Sequence, residues 1–182
     1  MIIGIDRLKK LIKEKGLIEG LDESDMNFEG VGVDLRLGEV YEMGAGQGKL
    51  LIDTRDSPKF KLIGKFKKGK SKILKIRPGR IYLGKTVETI NTPKGLFGWF
   101  IPRATFYRNG ILVQGIRTDP SYKGNFVFML SNLSDRAFEI ELGARVASMV
   151  FHTVSGKSNK YIGQWQGGRV FIKKAERQTR QK

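Results

Sequence analysis

Residues Gly98 to Asn132 read GWFIPRATFYRNGILVQGIRTDPSYKGNFVFMLSN, and here short apolar runs alternate with turn signals. The run Leu96–Ile101 is aromatic and β-branched and follows a turn-forming segment, which predicts a buried strand. Ile111–Val113 and Phe126–Leu130 have the same character, so we expect two further strands there. Between them, the sequence Asp-Pro-Ser-Tyr-Lys-Gly has strong turn chemistry and predicts a hairpin-like loop that carries Asp119 and Tyr122.

Strand-like runs separated by Gly and Pro continue through the rest of the chain. We expect further strands at 31–37, 40–43, 50–53, 59–66, 73–76, 81–83, 87–90, 138–142 and 146–151. Residues 5–16 are amphipathic and predict one short helix, which Asp6 can cap and Gly16 can end. This pattern predicts an all-β barrel or sandwich, and without repeats or linkers residues 1–182 are expected to form a single domain.

The polar groups of the central stretch suggest two kinds of chemistry. Arg103, Thr105 and Arg108 follow Pro102, and two guanidiniums beside a hydroxyl can cradle the oxygens of a phosphate. Asp119 lies in the predicted loop, where a carboxylate can act as a general base on water. The alternative for Asp119 is an ordinary turn aspartate before a proline.

Two further features of the sequence bear on its chemistry. Alternation in the strand 31–37 places Val31, Val33, Leu35 and Leu37 on its inner face and puts Asp34 and Arg36 together on the other. The glycine-rich stretch GAGQG lacks the Gly-Lys-Ser/Thr ending and the following helix of a phosphate-binding loop, so it is a turn.

Composition excludes several classes of site. The chain has no cysteine and a single histidine, His152, so disulfides, thiolate chemistry and a His/Cys zinc site are excluded. No secretory leader pattern and no long apolar run is present, which predicts a cytoplasmic protein with no membrane contact.

The formal charge of +16 is concentrated in two segments. Residues 57–84 hold ten Lys or Arg and no acid, and residues 169–182 hold six basic residues and one acid. We expect a lysine-rich hairpin, with arms at 59–66 and 73–76, and a basic tail. Because aromatic residues are not interleaved in a stacking pattern there, these segments favour a solvated surface over a nucleic-acid arm. A nucleic-acid-binding β-barrel remains the alternative function.

Five segments in order carry a family resemblance. They are GVDLRLG (32–38), PRATFYRNGI (102–111), TDPSYKG (118–124), GARVASMVF (143–151) and KYIGQWQGG (160–168). Together they resemble the motifs of the superfamily that joins dUTP diphosphatases with dCTP deaminases. The resemblance implies a distorted jelly-roll-like β-barrel that assembles as a homotrimer, with active sites between subunits.

The resemblance also implies roles for single residues. Asp119 matches the general base that activates water for attack on the α-phosphorus of dUTP. Tyr122 matches the tyrosine whose ring lies against deoxyribose. Val127, Phe128 and Met129 match the strand that reads the pyrimidine through backbone groups.

The remaining matches concern the phosphates and the C-terminal segment. Arg103, Ala104, Thr105 and Arg108 match phosphate-contacting positions, although Ala104 and Ser148 stand where relatives often carry serine and glutamine. Lys160 and Gln164 resemble nucleotide-contacting residues of the deaminase branch. Asp34 would orient the phosphate-binding arginine or hold the water shell of Mg²⁺, which is expected through the substrate phosphates rather than through direct protein ligands.

Met129 separates the two branches of the superfamily. In dCTP deaminases the matching position carries the glutamate that shuttles protons, and methionine cannot bind or release a proton. The sequence therefore predicts a dUTP diphosphatase, with dCTP deaminase as the alternative that Met129 opposes. Residues 160–182 are expected to form a flexible lid and basic tail, and the resemblance implies that the lid and the Asp119 loop of one site come from different subunits.

Overall fold

The computed structural model describes residues 1–26, 30–172 and 174–178. Two α-helices, α1 (Ile5–Lys15) and α2 (Ala104–Arg108), and a 3₁₀ helix (Glu23–Met26) accompany fourteen strands. The strands are β1 (Ile18–Glu19), β2 (Gly32–Met43), β3 (Lys49–Leu50), β4 (Thr54–Asp56), β5 (Phe60–Lys65), β6 (Ile73–Ile76), β7 (Ile81–Asn91), β8 (Leu96–Pro102), β9 (Ile111–Gln114), β10 (Arg117–Thr118), β11 (Lys123–Asn132), β12 (Phe138–Glu141), β13 (Arg145–Thr153) and β14 (Glu176–Arg177).

One curled antiparallel sheet forms most of the molecule and confirms the all-β prediction. Its order is β10-β8-β13-β2-β7-β11-β9, and β1 and β5 pair at the side with β7 and β2. The first half of β2 pairs with β13 and its second half with β7 and β5. Because register shifts interrupt β2 between its two sets of partners, the sheet bends there into a half-barrel.

Helix α1 follows the prediction at its end and differs at its start. Gly16 adopts the left-handed conformation with φ of 60° and ends the helix, as expected from the glycine there. The residue before the helix is Gly4, with no side-chain cap, so the predicted capping role of Asp6 is wrong and Asp6 lies in the first turn. Val31 is 42% exposed and lies outside β2, so the predicted inner face begins at Val33.

The structure also corrects the prediction of a lysine-rich hairpin. Strand β5 pairs with β2, and β6 pairs with β12 in a separate two-stranded sheet. A single bridge between Lys67 and Lys70 closes the turn between them. The two lysine-rich strands thus belong to different sheets, and each pairs with a strand elsewhere in the sequence that carries a glutamate partner for one of its lysines.

The segment after β8 holds a short helix that was not predicted from the sequence. Pro102 is the last residue of β8, and residues 104–108 form one turn of helix whose only buried side chain is Phe106. Phe106 packs against Phe138, with 5.8 Å between ring centroids. The polar residues of this turn therefore point away from the core and remain exposed.

The core lies between the two halves of the curled sheet. Phe100 of β8 stacks on Phe126 and Phe128 of β11, with centroids 4.7 and 4.9 Å apart. Aromatic stacking of this kind adds to the free energy of burial and fixes how the two strands face each other. It thereby positions the loop before β11 relative to β8. No helix among the residues described is long and apolar enough to cross a membrane.

Candidate active site at the start of strand β11

The loop that carries Asp119 is held by backbone bonds to the end of β7. Strand β10 pairs with β8 up to Thr118, whose hydroxyl lies 3.0 Å from that of Thr92 in the core. Thr92 donates its N–H to Tyr122 O and accepts from Ser121 N–H, each at 2.8 Å. These bonds fix the turn from Asp119 to Tyr122 on a rigid strand end, which is a suitable position for a catalytic group.

Arg117 orients the carboxylate of Asp119. Its Nε–H donates to Asp119 Oδ1 at 2.7 Å, and the Asp119 side chain is about one-third exposed at 35%. Residues i and i+2 of an extended segment point to the same side, which brings these two side chains together. The ion pair fixes one carboxylate oxygen and leaves the group in reach of solvent.

The side chain of Tyr122, at the end of this loop, is buried. Burial, and to a lesser extent the nearby Tyr161, raises the pKa of Tyr122 to about 12, so its phenol is neutral at physiological pH. The hydroxyl donates to Asn125 O at 2.8 Å. The ring therefore has a fixed orientation, with its centroid 5.7 Å from that of Tyr161.

A bulge in β7 shapes the adjacent edge of β11. The register between the two strands shifts after Asn125, so residues 86–88 lie opposite Phe126. The Asn125 side-chain amide donates to the carbonyls of all three bulged residues at 3.1 Å, and Phe126 N–H donates to Thr86 Oγ1 at 2.9 Å. Strand β9 pairs with β11 only from Met129 onward. The edge of β11 before Met129 thus faces the site rather than a neighbouring strand of the described sheet.

The segment after residue 160 covers this edge from within the same chain. Tyr161 N–H donates to Pro120 O at 2.8 Å, and Gly167 N–H donates to Lys123 O at 2.7 Å. A Cβ on Gly124 would lie 2.4 Å from Gly168 N, so the approach of the two backbones requires glycine. The resemblance implies that lid and loop come from different subunits, whereas here the segment lies on the loop of its own chain.

A cavity of about 250 Å³ lies between the loop, the β11 edge and this segment. Its walls are mainly apolar and aromatic, and Asp119 is the one carboxylate among the residues described that line it. The lining residues are Leu83, Ile116, Arg117, Asp119, Tyr122, Phe126, Val127, Tyr161, Trp165, Gly168, Arg169 and Val170. Four other clefts of about 310 to 760 Å³ are more open, and of the predicted site residues they carry only Arg103, in the cleft of about 310 Å³ beside α2 and β9, among the residues described. A flat apolar ring with polar substituents fits the walled cavity.

The predicted phosphate-binding residues lie at the other end of β8. Thr118 pairs with Gly98, so Asp119 lies near the start of β8, whereas Arg103 follows its last residue. At about 3.3 Å per residue, the two positions are roughly 20 Å apart along the strand. Ala104, Thr105 and Arg108 lie on the exposed turn α2, next to Arg103.

Asp34 belongs to this second cluster. Arg103 Nη1 donates to Asp34 Oδ2 at 2.7 Å, and Arg145 approaches the same oxygen at 3.8 Å. Arg36 turns away from Asp34, because it pairs at 2.7 Å with the fully buried Glu88. The cluster therefore presents two partly exposed guanidiniums around one carboxylate, a pattern that suits an anion.

The other predicted residues are divided between cavity, core and surface. Val127 lines the cavity, Phe128 is buried in the core, and Met129 is half-buried beside Leu83 in the ladder. Gln164 lies outside the lining and instead bonds to Arg55 and to Arg177 O, and Lys160 is exposed. The structure thus brings Asp119, Tyr122 and Val127 together and separates them from the Arg103 cluster.

Among the lining residues with polar side chains, Arg117, Tyr161 and Arg169 were not predicted as site residues from the sequence. Arg117 could have been found from its position two residues before Asp119 in an extended segment. Tyr161 lies in the motif 160–168 of the expected lid and could have been found from it, whereas Arg169 carries no comparable local signal and is brought to the cavity by the fold of the C-terminal segment.

No group of three or more His, Cys, Asp or Glu side chains that could hold a metal ion occurs in the described part of the chain. Asp119 and Asp34 lie at opposite ends of β8, so they do not form a joint ligand set. The donors present fit Mg²⁺ only as an ion that arrives with a polyphosphate and is coordinated by its oxygens.

Comparison with known proteins agrees with this fold. A probable deoxyuridine 5′-triphosphate nucleotidohydrolase of Methanothermobacter thermautotrophicus is 30% identical over 166 residues, covering 91% of this chain and 99% of that protein. A dUMP-forming dCTP deaminase of Dictyoglomus thermophilum is 31% identical over 160 residues, covering 85% of this chain and 81% of the other.

A solved structure is similar in fold. The 2′-deoxycytidine 5′-triphosphate deaminase of Agrobacterium tumefaciens superposes with a TM-score of 0.61 at 14% identity, covering 84% of this chain and 48% of that one. The sequence model of the dCTP deaminase-like family matches residues 2–154. The chain therefore belongs to the dCTP deaminase-like family, within the superfamily that includes the dUTP diphosphatases.

Proposed function

We propose that this enzyme is a dUTP diphosphatase that hydrolyses dUTP to dUMP and pyrophosphate. The observation that carries the proposal is the pairing of one carboxylate, Asp119, with an apolar cavity at a free strand edge, while Met129 stands at the deaminase proton-shuttle position. Deamination of cytosine needs a group that transfers protons at the ring, and no second carboxylate lines the cavity in the described residues.

In this mechanism the cavity binds the base and Asp119 activates water. Val127 and its neighbours present backbone donors and acceptors to uracil, and Tyr122 supports the deoxyribose. Arg117 holds Asp119 Oδ1, so the proton of the attacking water passes to Oδ2. The water oxygen forms a bond to the α-phosphorus as the bond to the β-phosphate oxygen breaks, and pyrophosphate leaves. Mg²⁺, bound through the phosphates, would neutralise their charge.

The separation of Asp119 from Arg103 supports an assembly, which we propose to be the homotrimer. One triphosphate can contact both groups if the Arg103 end of a second copy meets the Asp119 end of the first. The outer face between the two ends carries Ile101 and Ile116, which are 50% and 64% exposed. Apolar side chains with this exposure are suited to burial between subunits.

The test of the reaction offers dUTP, dCTP, dTTP and UTP with Mg²⁺ and follows both pyrophosphate release and the identity of the base. We expect dUMP and pyrophosphate from dUTP, and no uracil product from dCTP. Formation of a uracil nucleotide from dCTP would assign the chain to the deaminase branch despite Met129. Salt-sensitive DNA binding without hydrolysis of any nucleotide would support the nucleic-acid-binding alternative.

The test of the assembly mixes two impaired variants. Asp119→Asn lacks the base and should be nearly inactive, and Arg103→Ala lacks the phosphate contact and should keep about one-tenth to one-hundredth of the parent kcat/KM for dUTP. Refolding them together should restore part of the activity, because some mixed sites contain an intact Asp119 and an intact Arg103. Mixing that leaves activity at the level of the separate proteins, with mixed oligomers shown by mass, would place both groups in one chain.

A further inference from the structure

Trp165 forms part of the cavity wall and lies beside two guanidiniums. The Arg55 Cζ is 4.6 Å from its ring centroid, and the Arg169 Cζ is 5.7 Å away. A cation within about 6 Å of the centroid of an indole ring is attracted to the face of the ring, and this attraction is stronger when the pair is shielded from water. The Arg55 side chain is only 13% exposed, which places its contact with Trp165 in the stronger range.

One carboxylate holds both guanidiniums in place. Arg55 Nη2 pairs with Glu176 Oε1 at 2.6 Å, and Arg169 Nη2 donates to Glu176 Oε2. The Glu176 side chain is 9% exposed. A carboxylate with this burial, shared by two arginines, gives charge-assisted bonds that are stronger than those of a surface ion pair.

Strand pairing and further hydrogen bonds also hold Arg55 and Glu176 in this arrangement. Glu176 lies directly opposite Arg55 where β14 pairs with β4. Gln164 Oε1 accepts from Arg55 Nη2, its Nε2 donates to Arg177 O at 2.8 Å, and Gln178 N–H donates to Asp53 O at 2.8 Å. Residues 161–170 are thus tied to the small sheet β3-β4-β14 at several points. The covering segment and β14 lie after residue 154, where the family match ends.

We propose that Arg55 and Glu176 are positioning residues that hold Trp165 against the cavity before a nucleotide binds. The lid is then preformed by its own chain, and β14 acts as the latch that keeps it closed on the base-binding end. The proposal rests on the proposed function only for the choice of dUTP as ligand. A latch of this kind raises the apparent affinity, because the binding-competent state is already populated.

The first experiment measures how accessible Trp165 of the lid is to a fluorescence quencher in the absence of nucleotide. The chain has two tryptophans, so Trp99→Phe, which keeps an aromatic side chain at that position, leaves Trp165 as the single reporter. We expect acrylamide to quench Trp165 weakly in this background and severalfold more strongly after Glu176→Ala. Glu139→Ala is the matched control, since Glu139 is an exposed strand glutamate paired with Lys75 at 3.5 Å. Equal quenching with and without Glu176→Ala, in folded proteins, would overturn the latch.

The second experiment measures the effect of the latch on KM and kcat for dUTP. If Glu176→Ala lowers the closed population to about one-tenth, KM for dUTP should rise about tenfold while kcat changes little. Arg55→Lys keeps the charge but loses the planar fork, so its effect should lie between those of parent and Glu176→Ala. An unchanged KM in both folded variants would contradict the latch. A parent protein that does not hydrolyse dUTP, yet still shows the quenching difference, would refute the proposed function and leave the latch in place.

Discussion

The two ends of strand β8 carry different halves of the predicted chemistry. At its start, Asp119 and Tyr122 line a cavity that residues of the same chain cover. At its end, Arg103 and Asp34 form a cluster with no such cover, in which the two side chains are 45% and 32% exposed. The cavity end has mainly apolar walls and one carboxylate, whereas the cation end places Arg103 at a more open cleft of about 310 Å³.

Under the proposed function, this difference would divide recognition of the base from neutralisation of the phosphate charge. The cavity end is built by contacts within one chain, so its geometry can be fixed at folding. In the proposed trimer, the cation end would act on the nucleotide held in the cavity end of another copy. Variants at the two ends should therefore have distinct kinetic effects, and the following predictions run from the largest to the smallest.

The largest effect is expected for Asp119→Asn. The amide can still accept the bond from Arg117, so dUTP binding should be retained, but it cannot take a proton from water. Turnover should fall by roughly two to four orders of magnitude, the usual contribution of a general base. The measurement is pyrophosphate release at saturating dUTP, with the exposed Asp135→Asn as control. Turnover close to that of the parent would exclude Asp119 as the base.

At the other end, Arg103→Ala should lower kcat/KM for dUTP by about 10- to 100-fold, the loss expected for one charge-assisted bond to a phosphate. Base discrimination between dUTP and dCTP should not change, because the cavity is distant. Arg136→Ala is a suitable control, since the Arg136 side chain is 90% exposed and pairs with the neighbouring, equally exposed Asp135 at 3.8 Å. A loss of base discrimination in Arg103→Ala would contradict the division between the two ends.

Asp34→Asn should have a smaller effect at the same end. The amide can still accept from Arg103 but lacks the charge that attracts Arg103 and Arg145. Because partly exposed ion pairs contribute up to about 1 kcal/mol, kcat/KM should change by about fivefold or less. Steady-state kinetics at low and moderate salt checks this, and a loss as large as that of Asp119→Asn would assign Asp34 a direct catalytic role.

The smallest effect is expected in the lysine-rich segment. Lys65 and Lys68 pair with Glu39 and Asp22 at the surface, and Lys67 and Lys70 flank an exposed turn. Replacing all four by Gln should leave dUTP turnover within about threefold, since charges beyond a Debye length are largely screened. Collapse of turnover in a folded variant would bring this surface into the reaction.

Local patterns predicted the strands around the site. The apolar runs that became β8, β9 and β11 identify buried strands without reference to their partners. The turn chemistry of 119–124 marks the loop from Asp119 to Tyr122, although Lys123 and Gly124 already belong to β11. These features depend on neighbours in sequence, where propensity and alternation are informative. The same applies to the end of α1 at Gly16.

The pairing of the remaining strands could not be predicted correctly because their partners are distant in sequence. The lysine-rich segment reads as a hairpin, but β6 pairs with β12, more than sixty residues later in the chain. The charge run after residue 169 reads as a tail, yet the structure places Glu176 on Arg55 through a strand of two residues. A strand of two residues has no detectable periodicity. The position of β14 is explained instead by the ion pair between Glu176 and the Arg55 side chain of β4.

The lid also has a consequence for solubility. The free edge of β11 before Met129 is of the kind that recruits strands from other molecules, and proteins usually protect such edges. Gly167 and the Gln166 side chain bond to both backbone groups of Lys123 on this edge. The segment that covers the cavity therefore also blocks an edge on which aggregation could begin, so we expect its removal to lower the solubility of the protein.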